Sequence, residues 1–109
     1  MTQEEIEKVK RKIPKWFRND RQINSRILIK FLELSNKDIN PVSKKKLEEA
    51  CRDINFTGNY NQMKNVGENN HAQVFYENNG YISLQHDKEV REFILEEYEK
   101  ILFVNSKIL

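Results

Sequence analysis

Apolar residues recur along most of this chain at the three-to-four-residue step of amphipathic helices, and only one stretch departs from it. The first run is Ile6, Val9, Ile13, Trp16 and Phe17, preceded by Thr2-Gln3-Glu4-Glu5, in which Thr2 stands three residues before Glu5 as in a capping box. Pro14 interrupts this run. Proline lacks the helical N–H and its ring crowds the carbonyl four residues back, which predicts a break or kink near Ile13 and a new turn carrying Trp16 and Phe17. A second helix is expected from an Asn24-Ser25 cap to about Asn36. Its apolar positions Ile27, Leu28, Phe31, Leu32 and Leu34 are dense enough to form the centre of the core. Residues 38–41 read as a turn. Ser43 then caps a third helix whose stripe is Leu47, Ala50, Cys51 and Ile54, and residues 55–58 form another turn. Thr57 or Asn59 can cap a short helix over residues 59–66, with Tyr60, Met63 and Val66 inward and Gly67 just beyond its end. A last helix, about residues 88–103, carries Val90, Phe93, Ile94, Tyr98, Ile101 and Leu102 on one side.

The departure is "HAQVFYENNGYISL", residues 71–84, where two β-forming runs flank Glu77-Asn78-Asn79-Gly80. Asn-Gly is the preferred pair for a two-residue type I′ hairpin, because both central residues need positive φ. With Asn79-Gly80 as the loop, Phe75 faces Leu84 and Glu77 faces Ile82, while Val74, Tyr76 and Tyr81 line the other face. A two-stranded ribbon is marginal in water by itself, so this one must lie on the helical body.

The order of elements is helix, helix, helix–turn–short helix, hairpin, helix. It resembles a winged helix-turn-helix domain over residues 24–85, on layout alone. The resemblance implies a mainly α fold with one β-hairpin, a single domain over residues 1–109, and extra helices at about 3–17 and 88–103. It also implies a function. The second helix of the pair, residues 59–66, would enter the major groove of duplex DNA, and the hairpin at residues 72–85 would be the wing.

Composition narrows the setting. A chain of 109 residues has room for one core, and 38% hydrophobic residues are too many for a disordered chain. Net charge is only +2, but residues 8–30 hold nine Lys and Arg against one acid, Asp20, which suggests an anionic partner. One cysteine, Cys51, excludes an intramolecular disulfide and suits a reducing compartment. No signal-peptide pattern is present and no apolar run approaches the roughly 20 residues that span a bilayer, so a cytoplasmic protein without a membrane partner is expected.

Candidate chemistry points to binding and not to catalysis. With Tyr60, Met63 and Val66 inward, Asn59, Asn61, Gln62, Lys64 and Asn65 face outward. Asn and Gln can pair bidentately with adenine edges, and Lys reaches guanine or phosphate. Such a face is rich in weak helix formers, although thirteen Asn are spread over the whole chain. Lys44, Lys45 and Lys46 open a helix where the macrodipole disfavours cations, which suits phosphate contact. On the wing, Tyr76 and Asn79 are candidate contacts, but its tip lacks the Lys or Arg that many DNA-binding wings carry. No Gly-rich phosphate loop, nucleophile–base grouping or zinc spacing of Cys and His is present, so neither an enzyme nor a cofactor or metal site is expected. The sequence thus points to a small DNA-binding regulator of bacterial or phage type. It would act as a homodimer through the apolar stripes of its terminal helices. The alternative is a protein-binding module or nuclease inhibitor of mobile-element type on the same scaffold, and a third reading is the DNA-reading part of a larger defence enzyme.

Overall fold

In the computed structural model, which describes residues 1–67 and 70–108 and side chains as far as residue 105, Pro14 sits inside an unbroken helix α1 (Gln3–Arg18). The expected break at Ile13 is absent, and magnitudes explain why. Proline within a helix costs about 3 kcal/mol. Against it stand Ile13, Trp16 and Phe17, all buried on the same side, each stabilising by roughly 1.5–3 kcal/mol if the helix continues. The Thr2 cap forms as expected, its hydroxyl accepting the Glu5 N–H at 3.2 Å.

Among the described residues the chain is mainly helical, with five helices and a small three-stranded antiparallel sheet. Helix α2 (Ile23–Leu34) follows α1, then β1 (Val42–Ser43), α3 (Lys44–Ala50), α4 (Phe56–Lys64), β2 (Phe75–Asn78), β3 (Tyr81–Leu84) and α5 (Lys88–Ile108). The cap of α2 is Gln22, without a side-chain bond, so Asn24 and Ser25 are not caps but lie buried within its first turn. Ile27, Leu28, Phe31 and Leu32 are fully buried at the centre of one apolar cluster to which every helix and strand contributes. None of the helices described is long and apolar enough to cross a membrane.

The hairpin adopts the expected register, with Phe75 opposite Leu84 and Glu77 opposite Ile82. Asn79 and Gly80 both have positive φ, 53° and 79°, as a type I′ loop requires. The ribbon does not stand alone, however. β1 pairs with β3, Val42 opposite Ile82, and gives the order β1-β3-β2. Val74 is buried and not on the outer face: its N–H donates to the Met63 carbonyl and its own carbonyl accepts the Gln85 N–H. That clamp turns its side chain inward just before β2 begins.

A short loop fixes the sheet against the helices. Asn36, Lys37 and Asp38 all have positive φ, an unfavourable run for residues with a Cβ. The Asp38 carboxylate, 6% exposed, accepts the Leu84 N–H at 3.0 Å and the Arg91 Nε–H at 2.8 Å. It thereby ties the end of α2 to β3 and α5. Helix α5 extends to Ile108, beyond the expected Phe103, and buries Val90, Ile94 and Tyr98. Much of the apolar surface of the two terminal helices is buried within the same chain, α1 packing directly on α5.

Candidate nucleic-acid interface

Helix α4 begins earlier than its sequence suggests, at Phe56 after Asn55, so Thr57 and Asn59 are inside it and cap nothing. Phe56 is the reason. It is buried and stacks on Tyr60 with centroids 5.1 Å apart, which anchors the first turn. Phe56, Tyr60 and Met63 form the inward stripe. The helix stops at Lys64 and Asn65 turns extended, which carries Val66 off the stripe to 60% exposure instead of burial.

The predicted contact residues of α4 separate into two groups. Asn61, Gln62 and Asn65 follow Gly58 along the face opposite the stripe, and their side chains form no hydrogen bond within the described chain. Gly58 is exposed, and a Cβ placed there would meet nothing within 4 Å. The other two turn sideways. Asn59 donates to the Asn55 carbonyl at 2.8 Å and its Oδ1 lies 3.0 Å from His71 Nε2. Lys64 pairs with Glu77 at 3.6 Å.

Glu77 links α4 to the hairpin. The Tyr60 hydroxyl donates to its carboxylate at 2.6 Å, and the ammonium groups of Lys44 and Lys64 lie 5.6 and 5.5 Å from the centre of the Tyr60 ring. The Tyr60 hydrogen bond first, then the Lys64 and Lys44 charges, hold the Glu77 carboxyl below its ordinary range. Burial, reinforced by Glu77, pushes the Tyr60 phenol far above its own. The effect is to fix the angle between α4 and β2.

Beside this cluster, Ser43 caps α3 as expected, accepting the Lys46 N–H at 3.1 Å, and the Lys44 N–H donates to the Gly80 carbonyl at 2.8 Å. The exposed Lys45 and Lys46 therefore sit next to the hairpin loop, where Asn79 is also exposed. Tyr76 is 40% exposed and packs on His86, with ring centroids 4.3 Å apart.

On the other flank of α4, sequence reading missed a second group. Lys8, Lys12 and Lys15 form a ridge on α1 at helical spacing, with Arg11 beside it, facing Asn59 and His71 across an open cleft. No ion pair engages any of these four among the described residues, and Lys8 donates instead to the Gly67 carbonyl at 2.9 Å. Their number was visible in the sequence, but their neighbours come from segments tens of residues away. Among the described residues no group of three or more His, Cys, Asp or Glu is placed to hold a metal ion. Comparison of the chain with protein-family models, curated proteins and solved structures gave no match.

Proposed function

We propose that the chain is a winged helix-turn-helix domain that reads duplex DNA, with α4 in the major groove and the β2–β3 hairpin as the wing. The observation that carries this reading is the outward face of α4, where Asn61, Gln62 and Asn65 follow Gly58 with their amides unbonded within the described chain. Amides in this state can exchange both their donor and acceptor with a base edge, and a glycine at the N-terminal end of the face allows close approach there. The run α2–β1–α3–α4–β2–β3 with strand order β1-β3-β2 supports the same reading, since β1 braces the wing from the start of the helix pair. Lys45 and Lys46 near the wing, and the α1 ridge on the opposite flank, are the cations for phosphate contact.

One short helix reads few bases, so the protein would act as a homodimeric regulator of transcription on a two-fold site. Because α1 and α5 already bury their stripes against one another, the dimer contact would lie at the end of α5. There Ile101, Leu102 and Val104 border an open apolar groove with Phe17 and Ile29. A protein-binding or inhibitory role is the second reading, favoured by the exposed Tyr76 and Tyr81 on a hairpin whose tip carries no cation.

The test is selection from a random duplex pool with the full chain at low salt. Enrichment of one short site is expected. A pool that stays random through repeated rounds refutes base reading and favours the protein-binding role.

A further inference from the structure

The first turn of α2 carries unmet hydrogen-bonding capacity. The Gln22 N–H donates to the Asn19 carbonyl and the Arg26 N–H to the Gln22 carbonyl, but those of Ile23, Asn24 and Ser25 find no acceptor among the described residues. No side chain caps this end and its first turn holds no acid. It is therefore a helix terminus with its partial positive charge unanswered. Asn24 adds a second, independent demand. It is only 8% exposed, yet its side-chain amide has no hydrogen-bond partner among the described residues. The small exposure that Asn24 keeps is on the cleft it lines, so its amide is free to bond a ligand there.

Both features open on the same place. Gln22, Ile23 and Asn24 line a cleft of about 560 Å³ whose opposite wall is Arg11, Lys12 and Lys15, with Trp16 at its floor and Asn59 and His71 at its side. That volume lies within the roughly 300–1,000 Å³ range of small-ligand sites. The cations there repel one another. Burial first, then Lys8 and Arg11, and also Lys15, depress the Lys12 ammonium below its ordinary range, against the opposing pull of Glu5. His71 is held down by burial and by Lys12 and Lys8. Three cations, a bare helix N-terminus and an unpaired amide on the cleft wall are concentrated around one opening.

We propose that this cleft is a phosphate-binding site. The phosphoryl oxygens would accept the N–H groups of residues 23–25 and the Asn24 amide, while Arg11, Lys12 and Lys15 neutralise the charge. The same chemistry can come from the backbone of a duplex passing beside α4 or from a free phosphorylated small molecule. The site does not depend on base reading by α4, because its ligands are on α1 and α2.

The experiment is amide NMR of the full ¹⁵N-labelled chain titrated separately with pyrophosphate and with a short duplex of arbitrary sequence. Saturable shifts of the residue 23–25 amides are expected, together with an upward move of the His71 titration as an anion settles near it. The double variant Lys12→Gln/Lys15→Gln should abolish both effects while keeping a dispersed, folded spectrum. Lys45→Gln/Lys46→Gln, on the other flank, should leave the pyrophosphate response intact. Response to both probes assigns the site to backbone phosphate, and response to pyrophosphate alone assigns it to a free ligand. Silence of the 23–25 amides to both probes overturns the proposal, as do shifts that survive the double variant. If pyrophosphate is silent and the duplex shifts only residues 58, 61, 62 and 65, this site is refuted and base reading stands. If pyrophosphate binds but no duplex does, the site stands and DNA reading falls.

Discussion

Gly58 offers a way to separate what stabilises α4 from what α4 does. It is the third residue of the helix, its φ is not positive, and a Cβ built there meets nothing within 4 Å. Nothing inside the molecule therefore requires glycine. In a helix interior Gly→Ala is worth about 0.8–1.0 kcal/mol. The gain should be smaller in a first turn, so about 0.5 kcal/mol is expected for Gly58→Ala. For a chain near 100 residues this corresponds to a rise of about 2–4 °C in Tm. Gly58→Leu should stabilise similarly, since Leu is close to Ala in propensity, but it places a bulky side chain at the N-terminal end of the proposed contact face. It should weaken DNA binding by at least about tenfold, or about 1.4 kcal/mol. The assays are urea unfolding, read as a shifted midpoint at constant slope, and affinity for the selected duplex. A Gly58→Ala protein that is less stable than the parent would refute the structural reasoning. A Gly58→Leu protein that binds like the parent would refute the functional reasoning.

Other perturbations test the supports of that face. Gly80→Val forces a β-branched residue to positive φ and should cost about 1–2 kcal/mol, seen as faster hydrogen exchange across residues 74–84; unchanged exchange would contradict the turn. Tyr60→Phe removes the hydrogen bond to Glu77 and should cost roughly 1.5 kcal/mol at neutral pH, the low end for a charged acceptor because Glu77 can be rehydrated. Because the Glu77 carboxyl is lowered in the fold, the stability it confers is present above the ordinary glutamate range and is lost as pH falls through the lowered value. Tyr60→Phe should therefore lose less stability than the parent across that acid window, and an unchanged pH profile would remove Glu77 from the account. Finally, Leu102→Asp/Val104→Asp, which leaves the buried Tyr98 in place, should convert a dimer to a monomer by sedimentation; a full-length protein that is already monomeric at high concentration would refute the dimer.

What could be read from the chain was local. The Asn79-Gly80 pair determines its own loop, and the loop fixes the register, so both followed from a dipeptide and its flanks. The stripes of α1, α2 and α5 followed from periodicity, and Ser43 from its position before a helical run, whereas α3 stops at an exposed Ala50 and leaves Cys51 and Ile54 beyond its end. What could not be read depended on distant partners. Val42 and Ser43 are too few to show alternation, and their status as a strand comes from Ile82 and Tyr81, about 40 residues away. Pro14 was overruled by the burial of its neighbours, which becomes evident only once α5 and the core are in place. Phe56 began α4 because Tyr60 could stack on it, and Asn59 and Lys64, which flank the buried stripe on either side, meet His71 and Glu77 from distant segments. The cations of α1 were countable from the outset, but the cleft they border exists only because α2 begins opposite them.

The central claim is that Asn61 and Gln62 read bases while Lys45 and Lys46 hold phosphate, and one measurement separates the two roles. Affinities of Asn61→Ala, Gln62→Ala and Lys45→Ala are determined on the selected duplex and on a scrambled one, at two salt concentrations. The account predicts a loss of about 1–3 kcal/mol for each amide variant on the selected site only, with its salt slope unchanged. It predicts an equal loss on both duplexes for Lys45→Ala, with the slope flatter by about one. Amide variants that bind the selected site like the parent would contradict it.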